Sequence, residues 1–148
     1  MSSLSIIILL INIILISSSD IKVGITHTKT KLVTENVTAA ALGNEGIKVF
    51  ATPFLVALVE QTSRECITPY MKEGERTVGI RVNLKHLSAT PIGMSVTCKS
   101  KLVEIDGRKF SFNVECYDDI ELIGTATHER FLINQNKFVN KANSKLHQ

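Results

Sequence analysis

The run Phe50-Ala-Thr-Pro-Phe-Leu-Val-Ala-Leu-Val-Glu60 constrains this chain more than any other stretch. Thr52 has the side chain of a helix N-cap, and Pro53 then suits the first helical position, where a missing N–H costs nothing. The spacing predicts a helix from Thr52 to about Tyr70, with Gly74 beyond its end. Phe54 to Val59 is apolar on all sides, so its first two turns are expected to be buried all round rather than to lie on a surface. The second half, Gln61 to Glu65, is polar and is expected to emerge into solvent.

A buried helix needs a cover, and the residues after it supply one. Val78, Ile80, Val82, Leu84 and His86 alternate with Arg81, Asn83 and Lys85, which reads as a strand whose first set points inward. Met94–Ile105 and Arg108–Asp118 flank Asp106-Gly107, a two-residue hairpin signal. With those two residues as the loop, Cys98 faces Glu115 and Cys116 faces Thr97, so the two thiols lie on opposite faces. Ile120 to Ile133 is a last strand. Before the helix, Asp20 to Glu35 reads as a first strand, Thr38 to Leu42 as a short helical segment, and the chain then loops from Gly43 to Lys48. The pattern is α+β: one antiparallel sheet curled around one apolar helix. Its open side calls for a partner, so a homodimer is expected, with a continuous sheet or facing helices.

The ends divide off. Residues 1–19 hold an apolar run, Ile6 to Ile16, interrupted only by Asn12 and followed by Ser17-Ser-Ser19. It is too short to span a bilayer, which takes about 20 residues. It fits the core of a secretory signal peptide cleaved before Asp20, although no Lys or Arg precedes it. A membrane association follows only if the segment is retained; without it the chain reads as cytoplasmic. Residues 20–138 form the domain, and 139–148 read as a polar, solvated tail.

Several function classes are excluded. A net charge of +3 with no Lys/Arg block does not suit nucleic acid. Cys66, Cys98 and Cys116 make neither a disulfide framework nor a zinc site and are expected as buried thiols. No P-loop, Gly-x-Ser-x-Gly elbow or metal-binding His-x-x-x-His occurs, so no metal or cofactor is expected.

What remains is a hydroxyl, a carboxylate and an imidazole: Thr52, Glu60 and His86. Each has a plain structural reading. Thr52 can be only a cap, Glu60 can pair with Arg64 one turn on, and His86 can be a core histidine. Together they are the parts of a hydrolytic site. A helix start offers N–H groups and a positive dipole end to a carbonyl gaining negative charge. Glu60, at the edge of the apolar half, is expected to be buried there and to act as a general base or as a transient acyl acceptor. His128 is read as structural.

The residues Val49-Phe-Ala-Thr-Pro53, Leu58-Val-Glu60, Thr77-Val-Gly79, His86-Leu-Ser-Ala-Thr-Pro91, Val103-Glu-Ile-Asp-Gly-Arg108 and Thr127-His-Glu-Arg130 resemble the hotdog-fold thioesterases of the fluoroacetyl-CoA thioesterase type. The resemblance spans Asp20 to Phe138. It implies a hotdog fold, a long central helix wrapped by a curved antiparallel β-sheet, and a homodimer. It implies an acyl-CoA thioesterase that hydrolyses a short-chain acyl-CoA, with the CoA thioester as substrate. On the family pattern Thr52, Glu60 and His86 match the catalytic residues, while Gly79 and Arg130 match positions that contact substrate. The family's aromatic lid is not matched, since Leu42 to Lys48 contains no aromatic residue. A non-catalytic binder of acyl-CoA or a small apolar ligand is the alternative.

Overall fold

The computed structural model describes residues 20–148. The apolar run expected as a signal peptide therefore lies outside the described residues. Among those described, no helix is long and apolar enough to cross a membrane.

Five antiparallel strands form one sheet: β1 (Thr26–Leu32), β2 (Glu75–His86), β3 (Ser95–Asp106), β4 (Lys109–Tyr117) and β5 (Leu122–Asn134), in the order β1-β3-β4-β5-β2. The helix α1 (Thr52–Ile67), extended by a 3-10 turn over Thr68–Tyr70, lies against its inner face. The order is that of a hotdog fold, as expected. Leu55, Leu58, Val59 and Ile67 of α1 pack into one core with Val96, Leu102, Phe110, Phe112, Val114 and Ile123 of the sheet. Each such side chain contributes on the order of 1.5–3 kcal/mol by leaving water. Where helix and sheet approach, small polar groups satisfy one another: Ser63 and Ser100 share a hydrogen bond of 2.8 Å inside the core.

Three expectations change. First, α1 is not buried all round. Thr62, Ser63 and Cys66 of its polar half are buried, whereas Phe54, Val56 and Ala57 are only partly covered. A stripe running the length of the helix faces the sheet, and part of its apolar surface is left open in the single chain. Second, β2 carries a bulge between Gly79 and Arg81. The extra residue, Ile80, is 51% exposed, and Thr77 is buried instead of Val78 pointing in. Val82, Leu84 and His86 lie beyond the bulge and keep the inward face.

Third, the β3–β4 hairpin closes one pair later than Asp106-Gly107 suggests. Asp106 pairs with Lys109, so Gly107 and Arg108 are the loop residues. Gly107, at φ +59°, takes the first central position, which a residue with a Cβ resists. A second irregularity near Val103 shifts the register again, and Cys98 then faces Cys116 with their sulfurs 2.9 Å apart. The opposite-face expectation is overturned by the second shift alone, since moving the loop by one position keeps each residue on its face whereas one extra residue exchanges the faces. Both thiols are free and fully buried, and Cys66 is free and buried as well.

The end regions also differ from expectation. β1 is shorter than the Asp20–Glu35 run, because Gly24 turns the chain before Thr26. The polar tail is not irregular: Gln135–Asn143 forms helix α2, capped by Asn134, whose side-chain carbonyl accepts from the Lys137 N–H at 3.1 Å.

Candidate active site

Two crossings bring the start of α1 to the end of β2. The chain entering the helix pairs with the chain leaving β2: Val49 bridges Pro91, and the Phe50 N–H donates to the Thr90 carbonyl at 2.8 Å. Phe50, 1% exposed, anchors that entry. The Thr90 hydroxyl donates to Asp118 Oδ2 at 2.9 Å, while Asp118 Oδ1 accepts from the Ile120 and Glu121 N–H groups. The segment after His86 is thus tied to both the helix entry and the β4–β5 turn.

Thr52 and His86 meet as a result. Thr52 Oγ1 lies 2.7 Å from His86 Nδ1. This corrects the capping expectation: the helix begins at Thr52 itself, Ala51 is the cap residue, and no side chain caps it. The hydroxyl serves the imidazole and not the helix. Of the first-turn amides, Pro53 has none, and those of Phe54 and Leu55 donate to the Ala51 carbonyl. The Thr52 N–H, at the first helical position, has no carbonyl within the helix to reach.

His86 Nε2 is buried with no hydrogen-bond partner among the described residues. The ring therefore presents Nδ1 to the hydroxyl and seals its other nitrogen from water. Burial holds its pKa below the ordinary histidine value, with the Ser88 backbone pulling weakly the other way. A neutral imidazole facing a hydroxyl is arranged to take its proton. Beside the pair lies a cleft of about 340 Å³, walled by Ala39, Ile47, Val49 and Ala51 and by Leu87 and Ala89.

Glu60 is elsewhere. Eight residues along α1 from Thr52 place it about 12 Å up the axis. There it forms a second group with Gly79, His128 and Arg130. Arg130 Nη1 is 3.5 Å from Glu60 Oε2 and 3.3 Å from His128 Nε2. Arg130 is 4% exposed, and its other nitrogens donate to Thr77, Nε to the hydroxyl at 2.9 Å and Nη2 to the carbonyl at 2.8 Å. Gly79 faces the same carboxylate: a Cβ there would stand 2.4 Å from Glu60 Oε2 and 3.2 Å from His128 Cε1. The Glu60 side chain is 40% exposed, so the burial expected for it is not met in the single chain. Its partner is Arg130 rather than Arg64.

One chain thus holds Thr52 with His86, and Glu60 with Gly79 and Arg130, but does not join the two sets. His128, read from the sequence as structural, is buried and built into the second set through Arg130. Its position two residues before Arg130 on one strand, hence on one face, was the available signal. Among the described residues no group of His, Cys, Asp and Glu could hold a metal ion.

Both histidines make stability depend on pH. Burial lowers the pKa of His86 and of His128 in the folded chain. Between those depressed values and about 6.5 the unfolded chain binds more protons, so stability rises with pH. The urea midpoint is expected to fall as pH is lowered from about 7 to about 5. His128→Gln should flatten that slope; an unchanged slope would show that His128 is not held neutral.

The family model for the fluoroacetyl-CoA-specific thioesterase matches residues 33–136. The fluoroacetyl-CoA thioesterase of Streptantibioticus cattleyicolor is 38% identical over 98 residues, which are 66% of this chain and 70% of that protein. A crystal structure of a mutant of the fluoroacetyl-CoA-specific thioesterase FlK superposes with a TM-score of 0.82 at 33% identity, covering 86% of this chain and 98% of the other. A thioesterase superfamily member from Thermus thermophilus aligns with a TM-score of 0.78 at 27% identity, over 86% of this chain and 93% of its own.

Proposed function

Because this chain belongs to the fluoroacetyl-CoA-specific thioesterase family and is a thioester hydrolase, we propose that it cleaves a short-chain acyl-CoA to the free acid and CoA through Thr52, Glu60 and His86. The observation that carries this reading is the 2.7 Å bond between Thr52 Oγ1 and His86 Nδ1 beside an apolar cleft. His86 Nδ1 takes the hydroxyl proton as Thr52 Oγ1 attacks the thioester carbonyl carbon. The Thr52 N–H and the positive end of α1 stabilise the oxyanion. The carbon–sulfur bond then breaks, and the proton on His86 goes to the CoA thiolate. Water then attacks the acyl-threonine carbonyl carbon as Glu60 takes its proton, the bond from that carbon to Thr52 Oγ1 breaks, and the proton passes to Thr52 Oγ1, which restores the hydroxyl and the carboxylate. The cleft is lined mostly by small and aliphatic residues together with Phe50, and its volume of about 340 Å³ suits a short acyl group. Leu42 to Lys48 contains no aromatic residue, so that loop supplies no aromatic lid for fluoroacetyl.

Glu60 reaches this site from a second copy of the chain. Two features support a homodimer: among the described residues β2 is a 12-residue edge strand with one side unpaired, and the apolar residues Phe54, Val56 and Ala57 of α1 are incompletely covered. Antiparallel pairing of β2 with its own copy about a two-fold axis sets the His86 end of one strand beside the Gly79 end of the other. Each site then takes Thr52 and His86 from one protomer, and Glu60, Gly79 and Arg130 from its partner.

Subunit mixing tests this. Thr52→Ala and Glu60→Gln homodimers are each expected to be nearly inactive. Exchange between them should rebuild one complete site per heterodimer and recover about a quarter of wild-type activity. No recovery after demonstrated exchange would overturn the shared site. In native mass spectrometry with acetyl-, propionyl- and longer acyl-CoAs, a ligand that stays bound and is never cleaved would favour the non-catalytic binder.

A further inference from the structure

We propose that His128, locked in one neutral tautomer, is a positioning residue that holds Arg130 and through it the carboxylate of Glu60. The inference rests on the reading that Glu60 takes part in hydrolysis. His128 is 1% exposed, and its ring stacks on Phe112 with centroids 6.1 Å apart. Its Nδ1 lies 2.8 Å from the Arg81 carbonyl, at the bulge of β2. A carbonyl only accepts, so Nδ1 carries the hydrogen. Nε2 then offers a lone pair, and it faces Arg130 Nη1, which only donates, at 3.3 Å. Between a carbonyl and a guanidinium the ring has one arrangement that satisfies both nitrogens.

A core histidine with a purely packing role needs no such bridge. Arg130 commits Nε and Nη2 to Thr77, which leaves Nη1 for Glu60. Two acceptors therefore converge on Nη1, the imidazole from within and the carboxylate from the solvent side. The imidazole sets where Nη1 points, and Nη1 sets where the half-exposed carboxylate rests. Protonation of His128 would turn Nε2 into a donor against another donor and place two cations side by side. The charged groups around the ring are Glu60 from α1, Arg81 from β2, and Glu129 and Arg130 from β5, while Arg64 of α1 acts on Arg130. Burial is the largest of the influences and keeps the ring neutral.

The two amide isosteres separate this role from a structural one. In His128→Gln the amide oxygen reaches the place of Nε2 and can accept from Arg130. In His128→Asn the amide reaches only the place of Nδ1 and keeps the Arg81 bond. With acetyl-CoA and propionyl-CoA as probes, His128→Asn should lose about 10-fold or more in kcat with little change in KM, as expected for a lost hydrogen bond to a charged group. His128→Gln should stay within a few-fold of wild type. The acid limb of its pH–rate profile should also be less steep, because position 128 no longer titrates there.

Equal behaviour of the two variants, or losses that merely follow their melting temperatures, would overturn the inference. Should His128→Asn fail to fold, the His128→Gln profile decides: an unchanged acid limb overturns it. Glu60→Gln is assayed alongside. Full activity in Glu60→Gln would sink the role of Glu60 itself, whereas an inactive Glu60→Gln with like-behaving His128 variants would sink only this inference.

Discussion

Thr52→Ala and His86→Ala are each expected to lower acyl-CoA hydrolysis by ~10²-fold or more, the size of a general-base contribution. The double variant should be hardly worse than either single one. The hydroxyl and the imidazole act as a unit across their 2.7 Å bond, so removing one already idles the other. Thr52 is exposed and caps nothing, so Thr52→Ala should leave the urea midpoint close to wild type. His86→Ala removes a buried nitrogen without a partner together with its packing, and its stability cost is expected to stay modest. Release of free CoA thiol, measured with a chromogenic disulfide, follows the activity. Wild-type rates in purified, folded Thr52→Ala and His86→Ala would sink the site, and strictly additive losses would show that the two residues do not act together.

Gly79→Ala should also lower kcat by ~10²-fold, by displacing rather than deleting a functional group. Gly79 has no left-handed φ, so alanine meets no backbone strain there. Its methyl group would stand 2.4 Å from Glu60 Oε2, a separation that real contacts do not reach. The carboxylate is the far end of a flexible, 40% exposed side chain, so it moves aside at little cost in stability. Moving aside means leaving Arg130 Nη1, with which it makes the group's one ion pair. The next contact, 3.2 Å to His128 Cε1, is tight but tolerable. The expected signature is a folded variant with a near-normal melting temperature and a defective turnover. An active Gly79→Ala, or one that fails only by unfolding, would refute the steric argument. In the double variant Gly79→Ala/Glu60→Gln the effects should not add.

The architecture was legible in the sequence because it is encoded locally. Pro53 specifies the start of α1 and the apolar run its contact with the sheet, while period-two alternation specifies the strands. Asp106-Gly107 announces the hairpin even though the loop proper is Gly107-Arg108. Thr52, Glu60 and His86 stand out by residue type and place. Register and partnership were not legible. A bulge adds one residue, and in a two-residue repeat one residue exchanges the faces. Val78 and Ile80 look like core residues, yet Thr77 and Gly79 face inward. The same effect in β3 sets Cys98 opposite Cys116.

The α+β hotdog frame and the inventory of polar groups placed on it follow from the order of the residues. Which of those groups meet depends on how the strands and the helix cross. Thr52 looked like a cap and proved to hold His86, because the strand leaving β2 pairs with the chain entering α1. Glu60 is offered by the sequence beside them, and within one chain it lies instead with Gly79, His128 and Arg130, since a helix rises only about 1.5 Å per residue and eight residues carry a side chain two turns away. Contacts of that kind join residues distant in the chain through strand register, and a single residue of slip changes them all.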